Sequence, residues 1–203
     1  MIGMVEPIIT LEGCVTHFVA QGYKILCDED GFDSAFASNN DSIVKFWRCL
    51  WMLNIPGKIK HFLWRACTNT FPIKTNLLKR KILMDAICPL CSKELESVVH
   101  ALWSCKVIQV VWKKYFGWLN NGAASGCSFI DLLDKVKSQL HLLCPFAITA
   151  WKIWIRRNKF CVGDSVIPID SVAESTWAYN LDYQLMFKQK TQASTTQHQV
   201  ETT

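Results

Sequence analysis

Four residues of metal-binding type stand close together in the middle of this 203-residue sequence, with the spacing C-x2-C-x8-H-x4-C. They are Cys88, Cys91, His100 and Cys105. In a C-x2-C knuckle, two thiolates can converge on one metal ion while amide groups of the turn donate toward the sulfurs. Three thiolates and one imidazole match a closed tetrahedral site with no open position for water. The spacing therefore predicts one structural zinc ion (Zn²⁺).

Two other interpretations of these residues stay open. The thiols and the histidine could be ordinary core residues, or Cys88 and Cys91 could form a redox dithiol. Neither accounts for His100 and Cys105 at this spacing. Structural zinc contributes roughly 10–16 kcal/mol in small zinc-dependent peptides, which is more than the net stability of a typical domain. We therefore expect metal removal to unfold at least residues 85–106.

A strongly basic stretch precedes the cysteines. Residues 42–84 hold nine basic and no acidic side chains, whereas residues 1–41 hold one basic and seven acidic ones. Two amphipathic helices are predicted here, one from Lys58 and one opened by Pro72, each with a basic exterior. Phosphates of RNA or DNA could be neutralised by these candidate nucleic-acid-binding residues: Lys58, Lys60, Arg65, Lys74, Lys79, Arg80 and Lys81. The alternative is that the charges are only the solvated faces of two helices.

Helical spacing continues after Cys105, so the sequence predicts an all-α fold. Four parts are expected: an acidic N-terminal segment (1–41), a zinc-binding module (42–119), a helical linker region (128–187) opened by Ser128 as an N-cap, and a disordered Gln/Thr-rich tail (188–203). The most apolar run is too short to span a membrane, and the N-terminus does not resemble a signal peptide. We therefore expect no membrane partner and a nuclear or cytoplasmic protein that is not secreted.

Several motifs occur together between residues 46 and 116. Trp47 and Trp51 form W-x3-W, residues 56–65 read P-x-K-x-K-x-F-L-W-R, and the four candidate ligands follow in order. This combination resembles the zinc-binding domain found C-terminal to plant non-LTR retrotransposon reverse transcriptases. Residues 151–158 read W-x-I-W-x-x-R-N and resemble the helix that commonly links this module to a ribonuclease H domain.

The resemblance implies a non-catalytic accessory role beside domains that handle RNA or DNA. Reverse transcriptase or ribonuclease H domains of the same element are then expected partners. The chain lacks the Y/F-x-D-D motif of the polymerase, and no constellation typical of another enzyme stands out, so we predict that it is not an enzyme. One alternative is a structural packing module in which helices around Leu142–Ile155 and Val107–Leu119 stay half-exposed. Another is a non-functional retroelement fragment.

Overall fold

A computed structural model describes the backbone of residues 40–121 and 127–200, and the side chains of residues 42–119 and 127–189. The predicted acidic segment 1–41 lies almost entirely outside the described residues. No described helix is long and apolar enough to cross a membrane.

The described residues are helical, which confirms the all-α prediction. The α-helices are α1 (Asn40–Met52), α2 (Gly57–Cys67), α3 (Lys74–Lys79), α4 (Gln109–Phe116), α5 (Phe129–Lys137), α6 (Leu140–Cys161) and α7 (Ser171–Val200). A π-helical turn spans His100–Ser104, and a 3-10 turn spans Gly117–Asn121. The one β-type contact within the described ranges is an isolated antiparallel bridge between Ile87 and Leu95.

The chain divides into two units, residues 1–47 and residues 48–203. In the first unit the structure describes only the start of α1, where the rings of Phe46 and Trp47 meet edge to face at 5.3 Å between centroids.

Helix α6 forms the centre of the second unit. It packs against α2, α5, α7 and the π-helical turn. Its first half is apolar on almost every side, and Leu143 and Phe146–Ala150 are all buried. A helix that is apolar all round must be covered by several neighbours, and α6 has them. The module and the predicted linker region therefore share one core, while their proposed boundaries at 42–119 and 128–187 stay predictions.

An aromatic cluster joins α4 to α6. The Trp112 ring lies 5.0 Å from Trp103 and 4.8 Å from Phe146 between centroids, and its Nε1 donates to the carbonyl of Leu102 at 2.9 Å. Phe116 meets Phe146 edge to face at 5.3 Å. The expectation that α4 and α6 would be half-exposed is therefore wrong, because helices α5 and α7 cover the apolar surface that a separate module would have left open.

Helix ends follow local chemistry. The predicted N-cap is confirmed: Ser128 Oγ accepts from the Asp131 N–H, and Asp131 Oδ2 accepts from the Ser128 N–H at 2.8 Å. At the C-termini of α2, α3 and α6 the chain turns through a residue with positive φ, namely Asn69 (53°), Lys81 (57°) and Gly163 (78°). Each turn carries the paired hydrogen bonds of a Schellman motif.

The last helix extends beyond the predicted boundary at Lys188. Its backbone remains helical to Val200, over a stretch that contains no proline or glycine to end it. The structure describes no side chains from residue 190 onward, and residues 201–203 lie outside the described residues. The predicted disorder of residues 188–203 stays a prediction.

Candidate metal centre

The first two candidate ligands lie on a tight knuckle. The Ile87–Leu95 bridge closes its base, and the Cys88 N–H donates to the Glu94 carbonyl at 2.8 Å. The Ser92 N–H donates to the Cys88 carbonyl at 2.9 Å, and Ser92 itself has φ 52°. This turn brings Cys88 and Cys91 onto the same side of the loop.

The π-helical turn positions the other two. The His100 N–H donates to Ser97 Oγ at 3.0 Å, and the Cys105 N–H closes the turn onto the His100 carbonyl at 3.1 Å. A π-type turn links residues five apart, which is the separation of His100 from Cys105. Both side chains are buried.

The four ligand atoms converge. Cys88 Sγ lies 4.0 Å from Cys105 Sγ, Cys91 Sγ lies 3.4 Å from His100 Nε2, and all four atoms lie within 4.8 Å of one another. In a tetrahedral zinc site, bonds of about 2.3 Å to sulfur and about 2.0 Å to nitrogen separate two ligand atoms by roughly 3.5–3.8 Å. The described side chains could therefore hold a metal ion with little movement.

Burial and backbone amides set the pKa values of the three thiols. Burial would raise the pKa of Cys91, but the N–H groups of Glu94 and Lys93, together with His100, lower that pKa to about 6. Burial raises the pKa of Cys105 to about 12, and it also raises the pKa of Cys88. One thiolate is thus favoured near neutral pH, whereas the other two thiols would release protons on binding a metal ion.

Glu94 is a functional residue that sequence reasoning missed. Its Oε2 lies 3.3 Å from His100 Nδ1. This carboxylate favours the tautomer with the proton on Nδ1, which leaves Nε2 to face the three sulfurs. The sequence contained a signal for this residue, since Glu94 is the only carboxylate in the short loop between Cys91 and Glu96.

A second missed residue connects the centre to α6. Glu96 is fully buried, and its carboxylate accepts two hydrogen bonds from Arg157, from Nε at 2.8 Å and from Nη2 at 2.6 Å. Glu96 Oε2 also accepts from the Lys74 N–H at 2.8 Å. Although burial alone would lower the pKa of Arg157, the bonds to Glu96 raise it. This ion pair joins the loop between the ligands to a helix 61 residues away.

Four of the seven predicted nucleic-acid-binding residues already have intramolecular contacts. Lys60 Nζ donates to the Trp51 carbonyl at 2.7 Å, and Arg65 Nη2 donates to the Thr70 carbonyl at 3.2 Å. Lys74 pairs with Asp85 at 3.3 Å, and Lys58 Nζ lies 4.8 Å above the ring of Trp151. Burial lowers the pKa of Lys60, while its position at the C-terminal end of α1 favours the charged ammonium group.

The other three form one exposed group, which we call the basic turn: Lys79, Arg80 and Lys81 at the C-terminal end of α3. Within the described ranges none of their side chains makes a hydrogen bond or an ion pair. Trp47 and Phe62, two aromatic residues that stand among basic residues in the sequence, are buried, in agreement with core packing rather than base stacking.

The geometry defines a helical module that carries a knuckle-type Cys3His cluster. Residues 29–112 match the family described as zinc-binding in reverse transcriptase. This part of the chain is similar to the zinc-binding domain of reverse transcriptases, which confirms the resemblance inferred from its motifs.

A plant protein shows a more distant similarity. Over 105 residues the chain is 27% identical to an Arabidopsis thaliana protein named as a putative ribonuclease H protein. The aligned region covers 44% of this chain and 17% of that protein, so the chain spans only a small part of this relative. No solved structure matches the chain significantly.

Proposed function

We propose that Cys88, Cys91, His100 and Cys105 bind one structural zinc ion, and that the module is a non-catalytic accessory domain associated with nucleic acid. The convergence of the four ligand atoms within 4.8 Å carries the metal assignment. A closed set of three thiolates and one imidazole has no open coordination position, so the ion would hold the fold rather than activate a substrate.

Zinc stoichiometry tests this assignment directly. The purified chain should contain about one equivalent of zinc, and Cys88→Ser should lose most of it. Chelation should unfold the loop between the ligands and disrupt the packing of α4, because metal binding and folding are coupled in such sites. Cys127→Ser, which changes a cysteine outside the cluster, is the matched control. Less than about half an equivalent of zinc in the unmodified chain would contradict the proposal.

The basic turn is the part of the predicted interface that supports nucleic-acid association best. Its three cations are exposed, whereas Lys58, Lys60, Arg65 and Lys74 are engaged within the fold. Contacts of this kind neutralise phosphates without reading bases.

Salt dependence tests the basic turn. Affinity for single-stranded RNA or DNA should fall as salt rises. Replacing Lys79, Arg80 and Lys81 together by Gln should reduce the slope of log K against log[salt] by about 2, at roughly 0.7 per phosphate contact. Replacing Lys106 and Lys113 by Gln removes exposed charge elsewhere on the module and serves as the control. Binding that does not weaken with salt would exclude this role.

The alternative function is a packing module between domains of a longer protein. The observation that favours it is the internal engagement of Lys60, Arg65 and Lys74. Reverse transcriptase or ribonuclease H domains are the proposed partners, since the similar Arabidopsis protein is named for the latter. A chain that retains no nucleic acid at low salt, but elutes with such a domain in size-exclusion chromatography, would favour this alternative.

A reducing compartment, nuclear or cytoplasmic, suits the proposed site. The eight cysteines of the described residues form no disulfide, and zinc binding requires the ligand thiols to stay reduced.

A further inference from the structure

A cleft of about 470 Å³ lies between the C-terminal half of α6, the loop that follows it and α7. This is within the size range of small-molecule and cofactor sites. Two aromatic rings, Trp151 and Tyr179, and three cations, Lys152, Arg156 and Lys159, contribute to its walls. The cleft is remote in sequence from the metal ligands and from the basic turn.

The aromatic wall is accessible to a ligand. Trp151 and Tyr179 are both half-buried, their ring centroids lie 5.7 Å apart, and their planes are inclined by 42°. The ammonium groups of Lys58 and Lys152 lie 4.8 Å and 5.3 Å from the centroids of these two rings. A wall of this kind combines planar apolar surface with positive charge, which suits a nucleobase attached to a phosphate.

The cations of the cleft are not neutralised. Lys152 Nζ donates to the carbonyl and the hydroxyl of Ser175, which are uncharged groups. Arg156 uses Nε for the Ile167 carbonyl at 2.9 Å, and its two terminal nitrogens have no hydrogen-bond partner among the described residues. Lys159 is exposed, and no carboxylate lines the cleft. The cleft therefore favours an anionic ligand.

The spacing of the cations suits more than one phosphate. Lys152, Arg156 and Lys159 follow one face of α6, and a rise of 1.5 Å per residue separates the backbone positions of the first and the last by about 10 Å. Such a row can contact successive phosphates of an extended strand.

We propose that this cleft binds a short segment of single-stranded nucleic acid, with a base against Trp151 and Tyr179 and neighbouring phosphates on Arg156 and Lys159. A duplex keeps its bases stacked on one another, so it offers the cleft phosphates but no base. The inference deepens the proposed nucleic-acid role and rests on it for the ligand class, but it uses a different surface from the basic turn.

The test measures binding of the zinc-loaded full chain to fluorescent oligo(U) and to an RNA hairpin of equal length by fluorescence anisotropy. Oligo(U) should bind more tightly than the hairpin. Arg156→Gln/Lys159→Gln should weaken oligo(U) binding by about tenfold at low salt. Trp151→Ala should weaken it about fivefold or more, whereas Trp151→Phe, which keeps an aromatic ring, should bind nearly as the parent chain does.

The matched control is Lys106→Gln/Lys113→Gln, which removes the same charge from exposed positions outside the cleft. Circular dichroism and zinc content identify any variant that has failed to fold. If Trp151→Ala fails to fold, the affinities for oligo(U) and the hairpin are compared in Trp151→Phe instead. Equal losses in the cleft variant and the control, or equal affinity for hairpin and oligo(U), would overturn the proposal.

A variant with the basic turn replaced by Gln separates the two proposals. If it binds oligo(U) as the parent chain does while the cleft variant fails to bind, the role of the basic turn is wrong and the cleft proposal stands. If only the basic-turn variant loses binding, the cleft proposal fails and the proposed function survives.

Discussion

At the scale of single residues, the candidate metal centre depends on more than its four ligands. The amide groups of the knuckle favour a thiolate at Cys91, and the carboxylate of Glu94 orients the imidazole of His100. Such outer contacts tune a metal site because a ligand held in the correct tautomer and orientation loses less freedom on binding.

Glu94 should therefore matter for zinc affinity although it is not a ligand. We expect Glu94→Ala to weaken zinc binding by about 10–100-fold, since His100 would lose the group that orients it. Competition with a chromophoric zinc chelator measures this change. Lys93→Ala, at the adjacent exposed position, should leave the affinity unchanged. Equal affinities for the two variants would show that Glu94 does not orient the ligand.

At the scale of elements, the helix C-termini carry the clearest local strain. The turns after α2 and α3 place Asn69 and Lys81 at positive φ, where the turn after α6 has a glycine. A side chain with a Cβ is disfavoured in this conformation, and asparagine tolerates it better than lysine does.

Lys81→Gly should therefore stabilise the protein. Removing the Cβ relieves the left-handed conformation, and we expect the free energy of unfolding to rise by about 0.5–1 kcal/mol. Urea unfolding of the zinc-loaded chain measures it. Lys79→Gly, within α3, should instead lower the free energy of unfolding by up to about 1 kcal/mol. A loss of stability in both variants would contradict the argument.

At the scale of the whole molecule, the hydrophobic core extends beyond the segment that matches the family. Residues 29–112 contain all four candidate ligands, yet Trp112 packs on Phe146 of α6, and Glu96 bonds to Arg157. The metal loop and the C-terminal helices therefore share buried contacts.

Breaking the buried ion pair should be costly. Arg157→Met would leave the Glu96 carboxylate buried without its charged partner, and we expect a loss of about 3–5 kcal/mol in the free energy of unfolding. Glu96→Gln/Arg157→Met should recover part of this loss, because no unpaired charge is then buried. Urea unfolding of the zinc-loaded variants measures both changes.

The control for this prediction is Lys159→Met, which removes an exposed cation from the same helix. Surface substitutions of this kind usually change stability by less than about 0.5 kcal/mol. A loss for Arg157→Met no larger than that of Lys159→Met would show that the ion pair contributes little to the coupling.

The sequence by itself determined the features that depend on local spacing. The four candidate ligands lie within eighteen positions, and their pattern identified the cluster that the structure brings together. Helical periodicity predicted the all-α fold, and the Ser128 cap was confirmed because capping involves residues only three apart.

Only the tertiary structure decided the features that depend on distant contacts. The partner of Glu96 lies 61 residues away, and no local pattern names it. Periodicity placed both Lys60 and Lys79 on helices. In the folded chain, however, Lys60 donates to the Trp51 carbonyl, whereas Lys79 is exposed. Likewise, only the structure shows that α5 and α7 bury the apolar surface of α6, because an apolar face does not specify which neighbour will bury it.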